Sequence, residues 1–156
     1  APLHMKQMLP DVRPGPTAND VVRLIAISRL MLGPSFKNVQ TSWVKEGIGR
    51  AQLLLDCGAN DLGGTLMNES ISTSAGAQHG QLMRPSELRR VIRDAGRVPV
   101  ERNTRYGTLR TFDATAASDE LLPIDHVEES AVEAVFGSYA SLTREARERK
   151  RLPLQP

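Results

Sequence analysis

The chain has 156 residues, 40% of them hydrophobic and 24% charged, with a formal net charge of +2, a size and balance that suit one globular domain. One Trp, two Tyr and three Phe leave few rings to stack on bases, which argues against a nucleic-acid partner. Cys57 is the single cysteine, so an internal disulfide or an all-cysteine metal or cluster site is excluded within the chain, and no run approaches the roughly 20 apolar residues of a membrane span.

The opening, with Pro2, Pro10, Pro14 and Pro16, reads as irregular. It starts at Ala1 and reads as the middle of a longer protein. No signal peptide is recognisable, so the expected compartment is the cytoplasm, or an organelle in a photosynthetic eukaryote. Thr17 then fits a helix N-cap with Asp20 at the third helical position, a capping-box arrangement. Val21, Leu24, Ile25, Met31 and Leu32 follow at helical spacing. Val22, Ala26, Ile27 and Leu30 widen the apolar face, so this helix is expected to be buried on more than one side. Gly33-Pro34 ends it.

Residues 37–44, KNVQTSWV, change to period two: Val39, Thr41 and Trp43 point one way, Asn38, Gln40 and Ser42 the other. A second helix carries Ile48, Ala51, Leu54 and Leu55 on one side and closes at Gly58, with Cys57 as a packing residue at its end. Residues 59–63 form a short strand candidate, with another helical stretch after Gly64. Helix, strand, helix, strand in this order with short connections predicts βαβ units and a parallel sheet.

Further on, Arg84–Ala95 reads as an amphipathic helix with Leu88, Val91, Ile92 and Ala95 as its stripe and Gly96 as its stop. Arg89, Arg93 and Arg97 line another face, read as a solvated one. Residues 98–109 are an extended candidate covering a sheet edge. Charge is uneven: residues 84–110 carry eight Arg against three acidic residues, and residues 113–133 carry seven acidic residues with no Lys or Arg. Three units follow: 1–112 as the main body, 113–126 as an acidic linker, and 127–156 as a helical tail. In the tail, residues 127–150 form a helix with Val132, Val135, Phe136 and Tyr139 as apolar contacts, and RERKRLPLQP is a loose end.

Ligands of parallel sheets and barrels bind at the carboxyl ends of strands. A polar row of Asn38, Gln40 and Ser42 is unusual for a parallel strand, which is normally apolar on both faces. Either it faces a ligand, or it is the wet side of a half-exposed antiparallel strand. The stretch GANDLGGTLMNESISTSAGAQHG, residues 58–80, supplies the next strand end, with Asn60, Asp61, Thr65, Asn68, Glu69 and Ser70 around Gly63-Gly64. A glycine pair lets a ligand approach the backbone, or it makes a plain turn. His79 could act as a base oriented by Glu69 or Asp61, or be structural. Lys45 could meet a carboxylate, or be solvated at a helix start. No dinucleotide fingerprint or phosphate loop is present.

NVQTSWVKEG (38–47), GANDLGGTLMNESIS (58–72) and VRPGPT (12–17) closely resemble the C-terminal half of the radical S-adenosylmethionine enzymes that form the tyrosine-using half of FO synthase. AGAQHG (75–80), the Arg-rich helix and VERNTRYGTL (100–109) continue the resemblance over roughly residues 1–110. It implies an α/β fold, the C-terminal portion of a (β/α) TIM-type barrel, here with an added helical tail. It also implies a 4Fe–4S cluster on a CxxxCxxC loop that cleaves S-adenosylmethionine. Fragmentation of tyrosine and joining of a hydroxybenzyl unit to 5-amino-6-ribitylaminouracil would follow, on the way to the deazaflavin of coenzyme F-420. A partner radical enzyme, fused or separate, closes the ring. The related radical enzymes of the futalosine route to menaquinone, or a non-catalytic half-barrel that binds or docks, are the alternatives.

The chain departs from that pattern in having no CxxxCxxC. It is expected to begin after the sixth strand of the barrel, leaving the N-terminal half as a missing partner. Such a fragment cannot start the radical reaction and should be poorly stable alone. The substrate-facing candidates are Asn38, Gln40, Ser42, Asn60, Asp61, Thr65, Asn68, Glu69 and Ser70. In the full-length protein, Gln40→Ala and Glu69→Ala should each impair turnover with cluster content unchanged, as steady-state assays and iron analysis would show; normal turnover in both would remove the substrate-facing assignment.

Overall fold

The computed structural model describes residues 15–66, 79, 82–115, 119–136 and 144. The first helix, α1, spans Ala18–Leu32 and begins as its capping residues dictate. The Thr17 hydroxyl accepts the Asp20 N–H at 3.3 Å, and the Asp20 carboxylate accepts the Thr17 N–H at 2.9 Å. Gly33, at φ +50°, takes the chain out of the helix into a 3-10 turn, Gly33–Ser35. One face of α1 packs inward through Ile25, with Val21 and Val22 beside it. Leu24, Ile27, Leu30 and Met31 are exposed. The expected burial on more than one side is therefore not met among the described residues: one apolar stripe has the core against it and the opposite stripe has solvent.

Burial along residues 38–43 alternates as the period-two reading requires. Asn38 and Gln40 are exposed, Val39 half-buried, and Thr41 and Trp43 buried. The extended strand over 37–44 is nevertheless corrected to a single parallel bridge, Gln40 against Asp61. Hydrogen bonds from Asn60 N–H to Val39 O (3.0 Å) and Thr41 N–H to Asp61 O (2.8 Å) flank it. The extended run stops at Ser42, because α2 (Trp43–Glu46) starts there, with Glu46 N–H on Ser42 O. Gly47, at φ +78°, turns the chain directly into α3, Ile48–Asp56.

Helix α3 buries Ala51, Leu54 and Leu55, and Cys57 lies half-buried against the same core at its C-cap, as its packing role anticipates. Helix α4, Pro85–Asp94, contributes Val91, with Leu88, Ile92 and Ala95 beside it. The Gln52 amide donates to Val91 O at 3.0 Å and ties α3 to α4. Trp43, Val44, Ala59 and Leu62 complete the cluster. Burying Trp43 and Leu54 here is worth about 1.5–3 kcal/mol per large side chain.

The stretch 98–109 is a hairpin rather than one extended segment. Strand β1 (Val100–Arg102) pairs antiparallel with β2 (Thr108–Thr111), with an irregularity between Glu101 and Arg102. Asn103 builds the turn: its Oδ1 accepts the N–H groups of Arg105 and Gly107, each at 2.9 Å. The fold has α/β character, with one parallel bridge and one small antiparallel sheet among the described residues, and these do not themselves close a barrel. A 3-10 turn, Pro123–His126, returns the acidic segment to α4, and α5 follows at Glu129–Phe136. Val135 in α5, expected as an apolar contact, is exposed; Tyr139, the side chains of Val132 and Phe136, and the tail 147–156 lie outside the described residues. No helix among the described residues is long and apolar enough to cross a membrane.

Gly58 joins α3 to the bridge at φ +116°, where a Cβ would stand 2.8 Å from the Cβ of Arg29. Gly58→Ala should therefore destabilise the protein by about 1–3 kcal/mol. Gly64→Ala, with nothing within 4 Å of its Cβ position, should be close to neutral. Chemical denaturation of the full-length protein checks the difference.

Candidate functional site

A lone parallel bridge has too few backbone hydrogen bonds to hold two chain segments in register, and side chains supply the rest. Asn60 Oδ1 accepts from Val39 N–H and from Arg29 Nη2, both at 2.8 Å, while its amide donates to Lys37 O at 2.9 Å. Arg29 also donates through Nε to Gly58 O at 2.7 Å and through Nη1 to Phe36 O at 3.1 Å. The two segments and the end of α1 are thus joined through one amide and one guanidinium. Charge-assisted donors of this kind are the stronger hydrogen bonds.

Asp61 occupies the end of the second segment. Its Oδ1 accepts the Gly63 N–H at 3.0 Å, and its Oδ2 accepts Arg102 Nη2 at 2.6 Å. Gly63, at φ +81°, has the amide of Gln40 lying 3.0 Å from where a Cβ would be. The close approach that a glycine permits here is thus made by a side chain of the chain itself. The buried indole of Trp43 donates to Gly64 O at 3.2 Å. The Gly63-Gly64 turn is consequently held at its first N–H by Asp61 and at its second carbonyl by Trp43.

This turn opens onto a cleft of about 940 Å³, within the usual range for ligand sites. Of the nine candidates, Asn38, Asn60, Asp61 and Thr65 line it. Gln40 is exposed beside it, against Gly63, and Ser42 is half-buried at the start of α2. Asn68, Glu69 and Ser70 lie outside the described residues. His79 is exposed and its ring lies against Gly47, and Asp61, one of its suggested orienters, is engaged by Arg102. Lys45 is exposed. Among the described residues no group of three His, Cys, Asp or Glu is placed to hold a metal.

The far wall of the cleft holds groups that the polar rows did not include. Arg102 and Tyr106 come from the hairpin, and Arg89, Phe112 and Leu122 from α4 and the segment behind it. The Arg102 guanidinium lies 4.2 Å from the Tyr106 ring centroid, a cation–π distance. Its hydrogen bond to Asp61 holds the Arg102 pKa above the ordinary guanidinium value.

Arg89 and Arg93 do not form the solvated face expected of them. Arg89 is buried, with its Nε 2.9 Å from Asp119 Oδ2 and its Nη2 3.5 Å from Asp125 Oδ2. Arg93 makes a two-pronged contact with both oxygens of Asp119 at 2.7 Å. Only Arg97 keeps the anticipated exposure, in a 3.5 Å pair with Asp56. Asp125 also caps α4 by accepting the Ser86 N–H at 2.7 Å. The segment read as a linker therefore lies against α4. The hydrogen bond from Arg93, reinforced by Arg89, lowers the Asp119 pKa. Burial pushes Asp125 up, but hydrogen bonds from Ser86 and the Leu122 N–H outweigh it and its pKa is lowered too.

Comparison with known proteins adds a family. The family model described as "CofH/MqnC C-terminal region" matches residues 4–115. The chain is 55% identical over 95 residues to the 5-amino-6-(D-ribitylamino)uracil–L-tyrosine 4-hydroxyphenyl transferase of Archaeoglobus fulgidus, covering 61% of this chain and 28% of that protein. It is 53% identical over 93 residues to the protein of the same name in Methanothermobacter thermautotrophicus, covering 60% and 25%. The second such transferase of Methanosarcina acetivorans is 46% identical over 107 residues, covering 69% and 27%. The chain thus spans about a quarter of the length of these curated relatives. No solved structure matches.

Because the folded-state pKa values of Asp119 and Asp125 are depressed, the stability they contribute is fully present above the ordinary carboxylate pKa of about 3.9 and is lost as pH falls through their lower folded values. Hydrogen exchange should show residues 119–126 losing protection in that acidic window. Asp119→Asn should speed their exchange about tenfold already at pH 7.

Proposed function

We propose that this chain, which belongs to the CofH/MqnC C-terminal-region family, is the substrate-side part of a longer transferase that joins a tyrosine-derived hydroxybenzyl group to 5-amino-6-ribitylaminouracil. The observation that carries this reading is the meeting of two strand ends, at the Gln40–Asp61 bridge, beside a cleft to which Asn38, Thr65 and the Gly63-Gly64 turn contribute neutral hydrogen-bonding groups. The four arginines on the cleft wall, Arg29, Arg89, Arg97 and Arg102, already have acceptors within the chain. A phosphorylated ligand would call for uncommitted cations. A uracil edge and a ribityl chain call instead for amides, hydroxyls and exposed backbone, which Asn38, Gln40, Thr65 and the Gly63-Gly64 turn offer. The names of the relatives agree with that substrate.

The bridge and its two following helical stretches are the last βα units of a (β/α) barrel in this reading. The apolar stripe of Leu24, Ile27, Leu30 and Met31 then packs on barrel helices contributed by the rest of the protein, since burial of that stripe is favourable. A 4Fe–4S cluster, implied for the family together with S-adenosylmethionine, does not fit this chain. Cys57 is its one cysteine and lies half-buried at a helix end, packed against the core. The cluster and the chemistry it supplies belong to the rest of the protein. The residues here bind and orient the uracil substrate, and Asn60 and Asp61 fix the framework that does so. The product would pass to a ring-closing radical enzyme, fused or separate, in the cytoplasm or an organelle.

The full-length protein, supplied with S-adenosylmethionine, a reductant and tyrosine, should convert 5-amino-6-ribitylaminouracil to the hydroxybenzyl adduct, detected by mass spectrometry, and leave futalosine-type substrates unchanged. The reverse selectivity would transfer the chain to the menaquinone branch.

A further inference from the structure

The polar rows at the strand ends do not include the hairpin, yet the hairpin holds the group in contact with Asp61. We propose that Arg102 is a positioning residue of the cleft: through Asp61 it fixes the Gly63-Gly64 turn that the uracil substrate meets. The proposal rests on the substrate reading above for the identity of that ligand.

The chain of contacts is short. Arg102 Nη2 donates to Asp61 Oδ2 at 2.6 Å, and the other oxygen of the same carboxylate accepts the Gly63 N–H at 3.0 Å. The side chain of Asp61 is 9% exposed, so its charge is sheltered and needs a partner. Without Arg102, the carboxylate would turn toward solvent, and the Gly63 N–H would lose its acceptor. Trp43 holds only the far side of the turn, at Gly64 O.

Two further features distinguish this pair from an ordinary surface ion pair. Arg102 Nε is buried with no hydrogen-bond acceptor, and Tyr106 adopts φ +62°, a left-handed conformation that is unfavourable for a bulky side chain. Both are local costs that persist where the surrounding structure imposes them, and such costs cluster at functional sites. The conformation of Tyr106 keeps its ring over the guanidinium at 4.2 Å. Arg102 Nη1 donates to Asn103 O at 3.1 Å. A planar fork can stack, donate to Asn103 and pair with Asp61 together, which a lysine cannot. Arg102 acts through Asp61 and is not assigned a step in the chemistry.

The test uses the full-length protein with Arg102→Ala, Arg102→Lys, Asp61→Asn and the Asp61→Asn/Arg102→Ala double variant. Arg102→Ala should raise KM for 5-amino-6-ribitylaminouracil about tenfold, with KM for tyrosine within about twofold of the parent. Arg102→Lys should fall between the two. The double variant should be no worse than Asp61→Asn alone, because one chain of contacts is cut twice. Hydrogen exchange at the Gly63 N–H should also be about tenfold faster in Arg102→Ala, while exchange in α3 stays unchanged. Equal loss toward both substrates in step with a lowered Tm, additive variants, or unchanged Gly63 exchange would overturn the proposal. If the parent protein turns over neither substrate, the functional reading fails on its own, and the exchange measurement still decides whether Arg102 positions the turn.

Discussion

Two extended segments of this chain touch at one backbone bridge, Gln40 with Asp61, and the strand-end groups that face the cleft take their positions from that contact. In a full ladder, each further residue adds a backbone hydrogen bond and register is set by repetition. Here two flanking backbone bonds remain, so register is carried by Asn60, which binds both a backbone N–H and a backbone carbonyl of the opposite segment. Arg29 extends the same joint to the end of α1 and to Gly58. Side-chain networks of this type specify an arrangement when their members are satisfied, and the exposed Asn60 is satisfied through both its oxygen and its nitrogen.

This accounts for the polar residues in a place where a parallel strand is usually apolar. Asn60 and Asp61 are adjacent in sequence and so point to opposite sides, one toward the neighbouring segment and one toward the hairpin. Their polarity is used to connect elements. Gln40 lies across Gly63, so its amide adjoins the turn whose backbone is open to the cleft. The cations around the cleft are likewise engaged internally. A pocket whose cations are already matched selects by hydrogen-bond geometry and shape, and it discriminates well against analogues lacking a required polar group, because a buried partner is then left unsatisfied.

The features legible in the amino-acid order were local ones. Thr17 with Asp20, Gly33 after α1, and the stripe of α4 are each decided within four residues, and the structure has them all. The alternation across 38–43 was also visible, because it reflects which side of the backbone meets the core. The length of the strand was not visible, since it depends on a pairing partner elsewhere in the chain. Arg29 had no local signal: its acceptors Gly58 and Asn60 lie 29 and 31 residues away. Arg102 reaches 41 residues back to Asp61. The outer face of α1 misled for a related reason, since apolar spacing marks surface that burial would favour but does not say which element covers it.

The charge asymmetry held more information than the solvated-face reading took from it. Eight arginines in residues 84–110 followed by seven acidic residues in 113–133 is a pattern that opposite charges can satisfy by folding back. Arg89 and Arg93 meet Asp119 and Asp125 in this way, and Asp125 at the same time caps the N-terminus of α4, where an anion is favoured by the helix dipole. Helix α4 is thereby held between an apolar core on one side and an acidic segment on the other. A buried guanidinium is costly unless fully paired, and Arg89 is paired by residues that follow the stretch matched by the family model. Leu122 of that same segment lines the cleft together with Phe112, and the Phe112 ring lies 4.8 Å from the Arg89 guanidinium. The segment after residue 115 therefore helps to set the wall of the cleft, through the one helix that the core and the acidic residues share.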